Sequence, residues 1–343
     1  MANLTIGVVG ALGAVGTEML RALEKSNLPV TRVIPLDIKE NAGTKLSFQG
    51  KSLTVKSAEK GAFHNIDIAL FSAGESASLV LAPIAIDEGA VVIDNSNAFR
   101  MEEWVPLVIP EVNPHEAKKH LGLISNPNCS TIQMLVALKP LHDNFRIKRI
   151  VISTYQAVSG TGLPAIEELN SQVKSYINNE QLYWRIYPHQ IAFNALPHID
   201  SFLENGYTKE EMKMVNETKK ILNDNSILIS PTAVRIPVLR CHSESINIET
   251  EKSLPDFDEI VQILDASPGV KVIDNISQLA YPLAVHCVDT DKVFVGRIRK
   301  DFTVENGLNM WVVADNLRKG AALNAVQIAQ LLVDNNWLKG ARQ

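Results

Sequence analysis

The chain has 343 residues, 46% of them hydrophobic and 21% charged, with a formal net charge of −5 at pH 7. That length supports two domains with sizeable cores. The acidic balance argues against a surface for nucleic acid or an anionic membrane, and the longest apolar runs, around Leu79 to Ile86 and Ala90 to Ile93, are too short to span a bilayer.

Taken in order, Leu4 to Val9 reads as a short apolar strand entering a glycine-rich turn, with no secretory pattern before it. Gly16 to Lys25 carries Met19, Leu20 and Leu23 on one helical face. Thr31 to Leu36 and Ile66 to Phe71 read as strands, the second followed by Ser72-Ala73-Gly74. A helix with Leu79, Val80 and Ala82 precedes the buried-type run Ala90 to Asp94. Leu107 to Pro110 and Gly122 to Ser125 are predicted as further short strands. Strands alternating with helices predict a mostly parallel sheet covered on both faces.

The pattern then changes. Ile147 to Ala157 is a strand rich in β-branched residues, Leu163 to Asn178 an amphipathic helix, and Glu210 to Leu222 helical in composition. Val234 to Val238 and Glu244 to Ile248 read as strands around a polar turn. Asp256 to Asp265 is a helix, and Val293 to Ile298 and Leu308 to Val313 complete a sheet. The last helix, Gly320 to Val333, is apolar enough to pack back on the first domain. The fold class expected is α/β: an N-terminal Rossmann-type dinucleotide-binding domain (1–129), an α+β substrate and dimerisation domain with a mostly antiparallel or mixed sheet (130–319), and a C-terminal helix (320–343).

One residue stands out chemically. Ser125-Asn126-Pro127-Asn128 delivers Cys129 into the helix-forming run Ile132 to Leu138. A thiol at a helix N-terminus meets unpaired N–H groups and the positive end of the dipole, and both favour the nucleophilic thiolate. A buried structural Cys is the commoner fate of this residue type. The other two cysteines, Cys241 and Cys287, are far away in sequence, so neither a disulfide framework nor a zinc site is expected; a reducing cytoplasm fits.

The turn after the first strand spaces glycines at Gly10, Gly13 and Gly16, enclosing Leu12, Ala14 and Val15. Between a strand and a helix, such spacing lets the backbone approach a pyrophosphate, which the helix N-terminus then binds; a plain packing turn would need the same residues. Asp37, about twenty residues beyond the turn, stands where an acid accepts from a ribose 2′-OH and repels a 2′-phosphate. Glu40 adds to that and Lys39 opposes it; an ordinary solvated turn explains the same charges. His242 follows Arg235-Ile236-Pro237-Val238-Leu239-Arg240-Cys241, and a thiol handling acyl groups needs such a proton shuttle, although spacing alone does not pair it with Cys129. Arg100, Lys213 and Arg235 are candidate anion-binding cations, each equally readable as a surface charge.

Together, Asn126-Pro127-Asn128-Cys129, Gln156 in Thr154-Tyr155-Gln156-Ala157-Val158-Ser159-Gly160, the Arg235-to-His242 segment, Asp94-Asn95-Ser96 with Ala98-Phe99-Arg100, Val108-Ile109-Pro110-Glu111-Val112-Asn113 and Lys319 to Gln327 resemble the aspartate-β-semialdehyde dehydrogenases. The likeness runs from residue 4 to about residue 335 and looks closest to a bacterial branch typified by Gram-positive enzymes. It implies NADPH-dependent conversion of L-aspartyl-4-phosphate to aspartate-4-semialdehyde and phosphate, through an acyl-thioester on Cys129. It further implies His242 as general acid/base and Gln156 as the residue orienting the acyl group. Arg235 would meet the substrate α-carboxylate and Glu210 its α-amino group, with Glu211 the alternative. Arg100, Lys213 and Asn128 would hold phosphate. Gly10 to Gly16, Ser72, Ala73, Gly74, Ser159, Gly160, Asn324 and Gln327 would meet the cofactor.

The resemblance implies NADP(H), no metal, and a homodimer or dimer of dimers. Leu12 replaces the family's Thr, Ile38-Lys39-Glu40 replaces a Ser-x-Arg pair, and Glu75 replaces a Gly; with Asp37, these departures predict use of NAD(H). Two alternatives share much of this pattern: an acetylglutamyl-phosphate reductase-like enzyme, and a catalytically silent dinucleotide-binding module. The Asn-Pro-Asn-Cys-Ser context favours the aspartyl enzyme over the first, and retention of Cys129, Gln156 and His242 argues against the second.

Overall fold

The computed structural model describes residues 4–338. They form two compact units: one runs up to Asn128 and resumes from Ala321, and the other is Cys129–Gly320.

The first unit is built on β1 (Leu4–Val9), α1 (Ala14–Lys25), β2 (Val30–Asp37), β3 (Lys45–Phe48), β4 (Lys51–Thr54), β5 (Lys56–Ser57), β6 (Ile68–Phe71), α2 (Glu75–Asp87), β7 (Val91–Asp94) and β8 (Leu123–Ser125). Its main sheet runs β5-β2-β1-β6-β7-β8, and every pairing is parallel. Successive side chains alternate between two cores, as the period of two requires. Ile6, Val8, Ile68, Leu70, Val91 and Ile93 join Met19 and Leu23 of α1 and Ile328 and Leu332 of the C-terminal helix, Leu323–Asp334. Val9, Ala69, Phe71 and Val92 face Ala82 and Ala85 of α2. Two-sided burial is why these strands are continuously apolar. The chain steps outward from β1 to β2 and β5, then returns to the other side at β6. The strand order therefore reverses between β1 and β6, and in such sheets the crevice beyond the carboxyl ends at that point is the usual ligand site.

The second unit contains α3 (Cys129–Phe145), β9 (Ile147–Gln156), α4 (Leu163–Ile177), α5 (Lys209–Leu222), β10 (Leu228–Arg235), β11 (His242–Thr250), α6 (Phe257–Asp265), β12 (Val270–Val272), α7 (Ala284–Cys287), β13 (Val293–Asp301) and β14 (Gly307–Ala314). The sheet order is β10-β9-β11-β14-β13-β12. The two outer pairings are parallel and the inner three antiparallel. α3, α5 and α6 cover one face. α3 lies against the centre of that face, which is why it is apolar nearly all round, with Ile132 to Leu138 all buried.

Four expectations are corrected. Leu107 to Pro110 forms no strand: Leu107 makes one isolated bridge to Ser125, and the run is buried as a loop tied by Asn113, whose side chain bonds Ile109 N and Leu107 O. The strand predicted over Val234 to Val238 stops at Arg235 and instead begins at Leu228. It does not form a hairpin with the next strand either, because β9 lies between β10 and β11. The last helix starts at Leu323, after a wider helical turn over Arg318–Ala322. Among the described residues no helix is long and apolar enough to cross a membrane.

Candidate active site

In the second unit, Cys129 is the first residue of α3. A Cβ on Gly320 would come within 2.9 Å of the Cys129 Cβ, so glycine is what allows this backbone to pass so close. The approach is held by Asp315, fully buried, which accepts from Arg240 Nε at 2.9 Å, Asp289 N at 2.8 Å and Leu317 N at 3.1 Å. Its carbonyl takes Gly320 N at 3.1 Å. The three thiols are unbridged; Cys129 is partly exposed, while Cys241 and Cys287 are buried.

Five segments of this unit converge on a polar cluster. Arg235 ends β10 in parallel register with Gln156 at the end of β9, so both side chains emerge at the same edge of the sheet. His242 begins β11 and is fully buried. Its Nδ1 accepts from Ala157 N at 3.0 Å. A backbone N–H can only donate, so the neutral ring carries its proton on Nε2. That Nε2 is buried and has no partner among the described residues. Burial, and then the Arg235 charge, push the imidazole pKa down to about 3, against a smaller opposing pull from Glu210. At neutral pH the ring is therefore an uncharged donor.

Gly160 makes the convergence tangible. A Cβ there would lie 2.9 Å from Arg235 Nη1 and 3.3 Å from His242 Nε2, so both groups point at one spot that only a glycine leaves open. The Arg235 guanidinium is buried, donates to Ala157 O at 2.6 Å and lies 6.0 Å from the Tyr187 ring centroid. Its Nε has no partner, and it forms no ion pair with the described residues. A buried cation without a carboxylate is costly unless an anion completes it.

Beside it, Gln156 Nε2 donates to Glu210 Oε1 at 3.1 Å and Thr154 Oγ1 at 3.3 Å. Glu210 also takes Lys213 Nζ at 3.2 Å, and Lys213 reaches Asp200 at 2.9 Å. The neighbouring Glu211 is used otherwise: it closes a capping box with Thr208 and accepts from Ala233 N at 3.0 Å. Between the two adjacent acids, then, Glu210 faces the cluster and Glu211 holds the helix start.

Sequence reasoning overlooked Asn316, whose side chain bonds Ser159 Oγ at 3.0 Å and Cys241 N at 2.9 Å. It ties the Ser159-Gly160 turn to the residue before His242. Cys241 itself has φ +74°, a conformation rare outside glycine and asparagine. No short motif signals Asn316, because its partners lie more than seventy residues away in sequence.

In the first unit, the glycine turn sits at the carboxyl end of β1. Gly10 has φ +76°, and a Cβ on it would lie 2.8 Å from Ser72 O; one on Gly16 would lie 2.0 Å from Gly10 O. Only glycine permits either approach. Gly13 is the N-cap of α1 and supplies no side-chain cap, so the first helix N–H groups, those of Ala14 and Val15, remain available for an anion. The bare N–H groups, the glycine cradle and the β1/β6 switch point fit a dinucleotide.

Asp37 is neither a solvated turn residue nor an open acceptor. It is buried and accepts from Leu12 N at 3.1 Å, Ile38 N at 2.9 Å and Asn41 Nδ2 at 2.9 Å, clasping the glycine turn to the end of β2. Ser72 Oγ turns back onto Val9 O and Gly10 O at 3.1 and 3.3 Å. Ala73 follows, and Gly74, φ +85°, opens α2.

Arg100 is buried and donates to Asn126 O at 2.9 Å and Asn95 O at 2.7 Å. Asn324 bonds Asn126 Oδ1 at 2.6 Å and Val108 O at 3.1 Å, and Gln327 bonds Glu111 at 3.2 Å. Both amides thus brace the loop segments of this unit. Asn128 is buried at its end. Among the described residues no cluster of metal-binding side chains is present.

Two family models match the chain: the semialdehyde dehydrogenase NAD-binding domain over residues 5–120 and the semialdehyde dehydrogenase dimerisation domain over 138–319. The aspartate-semialdehyde dehydrogenase of Aquifex aeolicus is 55% identical over 332 residues, covering 96% of this chain and 97% of that protein. That of Bacillus subtilis is 49% identical over 337 residues, with 96% and 97% covered. The crystal structure of Vibrio cholerae aspartate semialdehyde dehydrogenase II complexed with ASA superposes with a TM-score of 0.95 at 44% identity, covering 98% of this chain and 99% of that one.

Proposed function

The chain belongs to the aspartate-semialdehyde dehydrogenase family, and we propose that it reduces L-aspartyl-4-phosphate to aspartate-4-semialdehyde with release of phosphate, in the biosynthesis of lysine, methionine, threonine and isoleucine. The observation that carries the substrate assignment is that Arg235 and Glu210 flank Gln156 without pairing with each other. One is a buried cation without a carboxylate partner and the other a buried carboxylate a short reach away across Gln156. An amino-acid headgroup, one anion and one cation, answers both charges.

Cys129 thiolate attacks the acyl carbon of the substrate, the C–O bond to phosphate breaks, and a thioester forms on sulfur. Gln156 steadies the acyl group. His242 donates its Nε2–H toward the acyl oxygen, where negative charge develops in each tetrahedral stage, and such a donor is worth most in a dry, prebuilt site. A bound nicotinamide supplies hydride chemistry to this site. The tetrahedral adduct left by reduction then collapses by C–S cleavage, giving the aldehyde and regenerating the thiolate. Arg100 and Lys213, with Asn128, serve the leaving phosphate. Gly10 to Gly16, Asp37, Ser72 to Gly74, Ser159, Gly160, Asn324 and Gln327 would hold the cofactor.

On cofactor choice we favour acceptance of NAD(H) alongside NADP(H), because the Asp37 carboxylate fixes a negative charge where a 2′-phosphate would otherwise dock. The assembly we favour is a homodimer, with a dimer of dimers as its larger form. The matched dimerisation model supports it. Three unbridged thiols support a cytoplasmic setting. The deciding assay is the reverse reaction, semialdehyde plus phosphate with NADP⁺ or NAD⁺. Phosphate-dependent reduction of the nucleotide is expected; none with either nucleotide would defeat the assignment.

A further inference from the structure

Glu244 lies two residues beyond His242 on the inner face of β11, and it is fully buried. Its register partners are Thr154 on β9 and Val312 on β14, neither ionisable. Gln133 of α3, also fully buried, approaches the carboxyl, yet neither carboxyl oxygen makes a hydrogen bond of ordinary geometry, and Gln133 Oε1 is equally unmatched. The amide's nitrogen also donates to His242 O at 3.4 Å. Three buried acceptor atoms therefore lack a donor. Buried polar groups are seldom left so, and a proton on the acid would match one carboxyl oxygen with Gln133 Oε1. Burial, against a smaller opposing pull from the Gln133 amide, holds the carboxyl well above its ordinary range.

Gln133 stands one helical turn beyond Cys129, and positions four apart share a face. Resting on the assignment of Cys129 and His242 above, we propose that Glu244 is a positioning residue: as the neutral acid it donates to Gln133 Oε1, and so locks Gln133 between the His242 backbone and the first turns of α3. The thiol and the imidazole are then set by one side chain that touches neither substrate nor cofactor.

The test compares full-length Glu244→Gln and Glu244→Leu with the wild-type chain. The infrared difference between wild type and Glu244→Gln at neutral pH is expected to show a protonated-carboxyl carbonyl band. Glu244→Gln, which still donates to Oε1, is expected to keep kcat within about threefold, whereas Glu244→Leu loses about tenfold or more in kcat with KM nearly unchanged. Glu244→Leu is also expected to slow iodoacetamide alkylation of Cys129, the one partly exposed thiol. The band and the alkylation rate need no substrate, so they stand or fall independently of the reaction assigned. A missing band, a Glu244→Gln variant as impaired as Glu244→Leu, or a Glu244→Leu variant with wild-type kcat overturns the proposal. Should Glu244→Leu not fold, the band and the Glu244→Gln turnover decide alone.

Discussion

At the residue scale, the chemistry rests on groups whose charge state is set by what surrounds them. Cys129→Ala is expected to abolish turnover while leaving nucleotide binding intact, read by fluorescence titration beside the activity assay; near-wild-type activity would remove the thiol from the mechanism. His242→Ala is expected to lower kcat by roughly 10²–10⁴-fold, the usual worth of a positioned proton donor. The same ring shapes acid stability. Its folded-state pKa of about 3 lies below the ordinary 6.5, so on acidification the unfolded chain takes up the proton first. The ring's contribution is thus intact above about pH 6.5 and is lost as pH falls toward 3. Urea titrations across that window should show a shallower acid loss in His242→Gln than in wild type; identical slopes would mean that the ring is not buried neutral.

At the element scale, strand ends and helix starts do the positioning. Gln156, Arg235 and His242 occupy the ends of β9 and β10 and the start of β11, where the ladder stops constraining the chain but still fixes each Cα. Glu210 and Lys213 ride in the first turns of α5, whose start is closed by the Thr208–Glu211 box. Thr208→Ala removes that cap and is expected to cost about 1 kcal/mol, measured as a lower urea midpoint, with a raised KM for the amino-acid substrate as Glu210 loosens. Gly160→Ala is expected to cut kcat/KM with little loss of stability, because the added methyl enters the point shared by Arg235 and His242. Stability data with unchanged kinetics would show that the turn simply shifts aside. These relations were only partly legible from the chain. Helix periodicity and β-branching located most elements to within a few residues. The strand at Leu107 failed because a buried loop braced by Asn113 carries the same apolar pattern as a short strand.

At the scale of the whole molecule, cofactor choice turns on where the fold holds Asp37. Asp37 is committed to Leu12, Ile38 and Asn41, so any action on a ribose, as proposed above, would come through its fixed charge more than through a spare lone pair. Steady-state kinetics with both nucleotides are expected to show substantial NAD use. A preference for NADP greater than about tenfold in kcat/KM, or about 1.4 kcal/mol, would refute it. Removing the clasp with Asp37→Ala is expected to weaken both nucleotides, since the glycine turn loses its tether to β2.

What the amino-acid order determined by itself is local. It includes the apolar strands with a glycine turn after the first, the thiol at a helix start, and the family likeness carried by short motifs around Cys129, Gln156 and His242. Those signals act over a few residues, where sterics and hydrogen-bond spacing are decided by neighbours in the chain. The tertiary structure decided the rest. It separated Glu210 from Glu211, turned Asp37 from a loop acid into a clasp, put the His242 proton on Nε2, and buried Glu244 beside Gln133. Each of these depends on which distant segment excludes water from a side chain and which atom it meets there, and desolvation is a property of the packed molecule.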